Sequence, residues 1–228
     1  MNSGLQTLHL KLKVCGLTKR DQIDELISMN ADFLGFIFYE KSPRYVLNHL
    51  SLDDISTIDH QGKVGVFVNE EMNTMIEIAK NTNLNFIQLH GDENADFVFE
   101  LREKLRPETG IIKTIRVGNQ KPKIKNQIEE IINQQLSTVN FFLFDTDSKA
   151  FGGTGKQFDW SILNEFEIPL PYFLSGGISE ENIENSKTLK HKPFALDINS
   201  KFEIMPGNKD IDKIRQFKSF LQRERNIL

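Results

Sequence analysis

A strand-length apolar run followed by a helix-length stretch recurs eight times along the chain, and no other feature restricts the fold as much. The expected strands are residues 8–14, 33–38, 63–68, 86–89, 111–115, 141–144, 172–174 and 194–198. The expected helices are 19–29, 52–58, 70–80, 94–105, 123–135, 160–166, 180–189 and 210–223. Runs such as Phe-Phe-Leu-Phe at 141–144 are apolar on both faces, as strands covered on both sides must be. Strands alternating with helices pair in parallel through right-handed crossovers. Eight such units in 228 residues predict an α/β fold, a single (β/α)8 TIM barrel spanning residues 1–228. The competing doubly wound sheet would carry a glycine fingerprint after its first strand. This chain has Cys15-Gly16-Leu17-Thr18 there, which favours the barrel.

Composition narrows the partners. A formal net charge of −4 supplies no polycation for nucleic acid, and no basic amphipathic helix suits a membrane surface. The longest apolar run, 33–39, is interrupted by Gly35 and is far too short to span a bilayer, and residues 1–13 lack the core of a signal peptide. The single cysteine, Cys15, excludes an internal disulfide and fits a reducing compartment, so a cytoplasmic chain is expected. Its partner would be a small molecule, and the chain itself a monomer or a homodimer.

In a barrel of this kind chemistry sits at the carboxyl ends of the strands. Asp145 ends the sixth strand beneath a loop carrying Gly152, Gly153 and Gly155, and Asp159 follows as a helix N-cap before Trp160. Burial disfavours a charged carboxyl group, so an acid there can be kept protonated, although an isolated Asp after a strand more often only caps its loop. Gln88 and His90 share one face of the fourth strand and would line the pocket. His9, His49, His60, His90 and His191 are scattered without ligand spacing, so no metal site is expected. The stretch Gly153-Thr154-Gly155-Lys156 suggests a nucleotide loop only superficially, since Ala150 and Gln157 stand where its first glycine and its hydroxyl residue belong.

Period-two alternation puts Lys11, Lys13 and Cys15 on one face of the first strand and Asp197 on the inner face of the eighth, with Ala195. Closure makes these strands neighbours. A pair between Lys13 and Asp197 beneath the site is therefore expected, its ammonium helping to hold Cys15 as thiolate.

A set of ordered segments resembles the phosphoribosylanthranilate isomerase family. They are Lys13-Val14-Cys15-Gly16-Leu17-Thr18, Gly35-Phe36-Ile37-Phe38-Tyr39, Lys41-Ser42-Pro43-Arg44-Tyr45 and Val64-Gly65-Val66-Phe67-Val68-Asn69. They continue with Gln88-Leu89-His90-Gly91-Asp92-Glu93, Phe144-Asp145-Thr146, Gly152 to Lys156 with Phe158-Asp159-Trp160, Leu174-Ser175-Gly176-Gly177, and Pro206-Gly207 with Lys209-Asp210. The resemblance implies an Amadori rearrangement of phosphoribosylanthranilate, an aminoaldose, to the aminoketose in tryptophan biosynthesis, without cofactor or metal. It makes Asp145 the general acid, Cys15 the general base, and Arg44 the holder of the anthranilate carboxylate.

The phosphate is expected after strands seven and eight, on Gly176 and Gly177 with Asn199 and Ser200 at the start of a short extra helix. The next helix, capped by Ser179, opens with Glu180 and Glu181, which would repel an anion. Here the sequence departs from the family, with Lys201 where a glycine usually follows Ser200; its charge either faces the phosphate or points outward. Two other readings are weighed against the isomerase. Indole-glycerol-phosphate synthase shares the barrel and phosphate but relies on lysine and glutamate chemistry. A non-catalytic phosphate-sugar-binding barrel would be expected to lack the acid or the base, and both are present.

Overall fold

Residues 10–118, 121–147 and 157–223 are described by the structure, a computed structural model. Eight parallel strands close into a barrel in chain order: β1 (Lys11–Cys15), β2 (Phe33–Ile37), β3 (Lys63–Phe67), β4 (Phe86–Leu89), β5 (Gly110–Val117), β6 (Phe141–Thr146), β7 (Tyr172–Leu174) and β8 (Ala195–Ile198). The seam is made by β1 and β8, with Lys13 opposite Asp197 in register. The TIM barrel expected from the repeat is the fold observed. Residues 8 and 9 of the expected first strand lie outside the described residues, as does the loop of Gly152, Gly153, Gly155 and Lys156.

The outer layer holds α1 (Arg20–Ser28), α2 (Leu52–Ser56), α3 (Met72–Asn81), α4 (Ala95–Lys104), α5 (Lys121–Gln135) and α6 (Ile211–Arg223). Two expected helices are corrected. The stretches after β6 and β7 are 3₁₀ turns, Trp160–Glu165 and Ile183–Thr188, in place of α-helices at 160–166 and 180–189. Pro169 and Pro171 force an extended backbone soon after the first, leaving it no length for α-helical turns. The second, Ile-Glu-Asn-Ser-Lys-Thr, is rich in side chains that compete with the helix for backbone hydrogen bonds. Asp159 does cap the first turn, accepting from the Ser161 N–H at 3.0 Å. The second starts after Asn182 rather than Ser179; the Asn182 side chain makes no cap bond to it, and its Oδ1 accepts instead from the Ser179 N–H at 2.9 Å.

Between β8 and α6 lie the short extra helix expected at Ser200 and a hairpin that the sequence does not announce. A short 3₁₀ turn, Ser200–Phe202, leads into an antiparallel hairpin, β9 (Glu203–Met205) and β10 (Asn208–Lys209). Gly207 turns it with φ +80°, and the Thr18 hydroxyl donates to the Gly207 carbonyl at 2.6 Å. The hairpin is thereby fixed to the loop after β1.

Two cores result. The larger packs the outer strand faces against the helices, and the smaller fills the barrel with Phe33, Val64, Val66, Ile112, Leu143, Phe173 and Ala195 below Cys15. The barrel floor is aromatic. Phe33 lies 5.0 Å from Phe173 and 5.6 Å from Phe86, and Phe141 lies 5.0 Å from Phe194, ring centre to ring centre. Offset and edge-on contacts of this kind each add roughly 0.5–1.5 kcal/mol beyond area burial. Lys11 lays its ammonium 5.2 Å from the centre of the Phe194 ring. Among the described residues no helix is long and apolar enough to cross a membrane.

Candidate active site

Cys15 ends β1 and is 5% exposed. Its register partner on β2 is Gly35, where a Cβ would fall 2.9 Å from Cys15 Sγ, so the missing side chain is what gives the thiol its space. One inward layer below, the Lys13 ammonium donates to both oxygens of Asp197, at 3.0 and 2.9 Å. This is the pair that strand parity predicts. Burial alone would lower the Lys13 pKa, but Asp197 and Cys15 outweigh it and hold the ammonium above its ordinary value. Burial pushes the Cys15 thiol up; Lys13 and Lys209 draw it back without cancelling the rise, and Asp197 adds to it. The lysines moderate the cost of a thiolate rather than abolish it. Asp197 is pushed up by burial, with Lys13 opposing, and the carboxyl group of Asp145 and the ring of His90 are both near enough to act on it. The base and acid candidates thus have a common neighbour.

Asp145 stands at the top of β6, 8% exposed. Its Oδ1 accepts from the Thr146 N–H at 2.8 Å, and its Oδ2 lies 3.4 Å from His90 Nε2. His90 Nδ1 lies 3.0 Å from Gln88 Nε2 and 3.2 Å from Thr114 Oγ1. With the Gln88 amide so oriented, Nδ1 accepts and the ring proton sits on Nε2, towards Asp145. The other end of that amide, Oε1, is buried and has no hydrogen-bond partner among the described residues. A buried carbonyl in this condition costs about 1–3 kcal/mol until a donor reaches it.

Arg44 leaves the loop after β2 and packs over Gly16, where a Cβ would meet Arg44 Cδ at 2.7 Å. Its guanidinium is already gripped by a carboxylate of the hairpin. Nε lies 2.9 and 3.0 Å from the two Glu203 oxygens and Nη2 lies 2.6 Å from Oε2. Glu203 Oε1 also accepts from Lys209 Nζ at 2.7 Å and the Gly207 N–H at 3.0 Å. Burial would raise the Glu203 carboxyl, but Arg44 and Lys209 outweigh it and hold it below its ordinary range. Lys209 is lowered by burial, with Glu203 opposing.

The residues expected to hold phosphate lie across the mouth. Gly176 and Gly177 adopt φ of +87° and +69°, backbone that only glycine takes readily. A Cβ at Gly176 would fall 2.4 Å from Thr146 Oγ1 and 3.2 Å from Asp145 Oδ1, so this backbone lies against the acid candidate. Ser200 opens the 3₁₀ turn, half-buried. The Asn199 side chain is engaged elsewhere, its Oδ1 accepting from Lys209 Nζ at 2.8 Å. Lys201 is exposed and its charge acts on Glu181, behind Ser179 in effect.

Four residues near the site are given no role by the sequence, although Lys209 falls in one of the resembling segments. Thr114 shares inward parity with Ile112, which faces Gln88 in register, and that parity is a signal that finds it. Arg116, in register with Asp145 and ion-paired with Asp92, falls one residue beyond the expected end of its strand. Glu203 and Lys209 sit in a hairpin where no hydrophobic period announces direction.

The comparisons agree with one another. The family model described as N-(5'phosphoribosyl)anthranilate (PRA) isomerase matches residues 12–219. The N-(5'-phosphoribosyl)anthranilate isomerase of Parabacteroides distasonis is 38% identical over 210 residues, covering 90% of each chain. The crystal structure of phosphoribosyl anthranilate isomerase from Thermotoga maritima superposes with a TM-score of 0.77 at 31% identity, covering 94% of this chain and 99% of that one. A phosphoribosyl anthranilate isomerase solved in complex with reduced 1-(o-carboxyphenylamino)-1-deoxyribulose 5-phosphate superposes with a TM-score of 0.73 at 29% identity, covering 94% and 99%. A closed barrel with this order of strand-end residues, matched over nearly its whole length, belongs to the N-(5'-phosphoribosyl)anthranilate isomerase family.

Proposed function

We infer that this chain converts N-(5-phosphoribosyl)anthranilate to 1-(2-carboxyphenylamino)-1-deoxyribulose 5-phosphate, an intramolecular aldose–ketose isomerisation of tryptophan biosynthesis, by one acid and one base. Asp145 gives its proton to the furanose ring oxygen, the C1′–O bond breaks, and the amine nitrogen becomes a cationic Schiff base. Cys15 then takes the proton from C2′, whose bonding electrons form the C1′=C2′ bond of an enolamine. Moving the enol proton to C1′ leaves the ketone. The iminium cation passing near Cys15 favours the thiolate at the moment it is needed, offsetting the burial that opposes it. His90, with its Nε2 proton turned to Asp145, holds that carboxyl in place.

Gln88 and Asp197 line the sugar, and Gln88 Oε1, without a partner among the described residues, is a ready acceptor for a ribose hydroxyl. Arg44 receives the anthranilate carboxylate. The phosphate rests on the backbone N–H groups of Gly176 and Gly177 with Ser200, and Asn199 contributes through its backbone, since its side chain is held by Lys209. Lys201 is exposed and is left out of the contact. A cytoplasmic setting suits a reaction that needs its single cysteine as a free thiol.

The observation that carries this reading is the buried thiol and the buried carboxyl group at the ends of β1 and β6, both within the field of Asp197. Generating the substrate in situ and following loss of its fluorescence tests it. Cys15→Ala and Asp145→Asn are each expected to lower kcat by about 10²–10⁴-fold. Retention of wild-type turnover by either variant overturns its assigned role, and tight binding without turnover in the unaltered protein overturns the activity.

A further inference from the structure

Glu203 has no part in the acid–base step, yet it is among the best-bonded buried carboxylates in the molecule. We propose that Glu203 is the positioning residue that presents Arg44 to the carboxylate of the substrate, and that the Arg44–Glu203–Lys209 cluster selects an anionic aromatic amine over a neutral one. The proposal rests on the reading that Arg44 receives that carboxylate.

A guanidinium offers two edges able to form paired hydrogen bonds, one through Nε and an Nη, the other through the two Nη atoms. Glu203 occupies the first edge, with Nε 2.9 and 3.0 Å from its oxygens and Nη2 2.6 Å from Oε2. Among the described residues nothing bonds Nη1. The second edge is therefore the one left for a ligand, and its orientation is set by the first. Glu203 is in turn fixed at three points, by Arg44, by Lys209 Nζ at 2.7 Å and by the Gly207 N–H at 3.0 Å. An arginine side chain free to turn would lose much rotamer entropy on gripping an anion, and one already clamped loses little.

Charge gives the second argument. Arg44 and Lys209 bring two positive charges into a site where Glu203 supplies one negative charge, with side chains 9%, 0% and 3% exposed. Asn199, the remaining partner of Lys209, is neutral. With the Cys15 thiol protonated, one positive charge of this cluster is uncompensated among the described residues bonded to it. A buried surplus of this sign is costly unless an anion completes it. A carboxylate on the substrate's ring completes it; a plain aromatic amine does not.

The test compares two substrates formed in situ from ribose 5-phosphate, one with anthranilate and one with aniline, which lacks the carboxylate. Glu203→Gln keeps the shape of the side chain but turns an N–H group towards the guanidinium and breaks the paired bonds. Because it also adds to the uncompensated positive charge, the expected rise in KM for the anthranilate compound, about tenfold or more, reads lost positioning alone. Its kcat should change less than about threefold, and kcat/KM for the aniline compound less than about twofold. Thermal melting establishes that the variant is folded; should it not be, Glu203→Asp, which draws the carboxylate back by one methylene, carries the same comparison. Equal losses on both substrates would make Glu203 structural only and overturn the proposal. Arg44→Gln separates the two readings. If it penalises only the anthranilate compound while Glu203→Gln penalises neither, Arg44 receives the carboxylate without help from Glu203, and the proposal fails alone. If Arg44→Gln penalises both compounds equally, the role given to Arg44 fails, and the proposal with it.

Discussion

At the scale of single residues the site is governed by what burial does to charge. A thiol removed from water resists ionisation, and Lys13 and Lys209 reduce that resistance without reversing it. A base is active when deprotonated, so a raised pKa means activity that is present at high pH and lost as pH falls through the raised value. We expect kcat/KM to climb on the alkaline side of neutrality, and Lys13→Met to move that limb to still higher pH. A profile that does not move in Lys13→Met would reduce the ammonium to a structural partner of Asp197. Space matters as much as charge. Gly35→Ala would place its methyl carbon 2.9 Å from Cys15 Sγ and 3.0 Å from Cys15 Cα, where backbone has to give way. Overpacking of this sort costs about 1–3 kcal/mol, readable by urea denaturation, and the displaced thiol should lower kcat more than it changes KM.

The elements differ in how plainly the sequence announces them. Strands do so because their side chains alternate with a period of two: from that parity Lys13, Cys15 and Asp197 are assigned inward, and with barrel closure the Lys13–Asp197 pair follows, as found at 2.9 Å. The segments after β6 and β7 are less plain, because Trp160–Glu165 carries an apolar pattern that fits a helix while the nearby prolines deny it the length. The hairpin of β9 and β10 is the least legible. Its polar residues, Glu203 and Lys209, acquire meaning only through Arg44 and Asn199, which the chain brings to them from elsewhere. The left-handed backbone at Gly176 and Gly177 is suggested by glycine itself, whereas the diversion of Asn199 to Lys209 depends on a contact that no local pattern encodes. The hairpin turn supplies its own prediction. Gly207→Ala would force a side chain onto a φ of +80° and within 2.8 Å of Thr18 Oγ1. It should cost about 1–2 kcal/mol of stability for the left-handed backbone and raise KM for the anthranilate substrate by displacing Glu203.

Across the whole molecule, closure of the barrel brings the first and last strands together, and the ion pair of Lys13 and Asp197 lies on that seam. Removing one partner leaves the other charge buried without its counterpart, so Asp197→Ala should destabilise the chain by about 3–5 kcal/mol. The double replacement Lys13→Met with Asp197→Leu should recover most of that loss while keeping the alkaline shift expected of Lys13→Met, and equilibrium unfolding together with the pH profile distinguishes a pair kept for stability from one kept for chemistry. At the opposite end, the rings of Phe33, Phe86, Phe141, Phe173 and Phe194 stopper the barrel floor. A vessel stoppered below has a single doorway, and traffic through it is one-way at a time. Ketose leaving must vacate the threshold before the next aldose arrives, so accumulating product should compete with substrate for entry, and the two should never be found inside together.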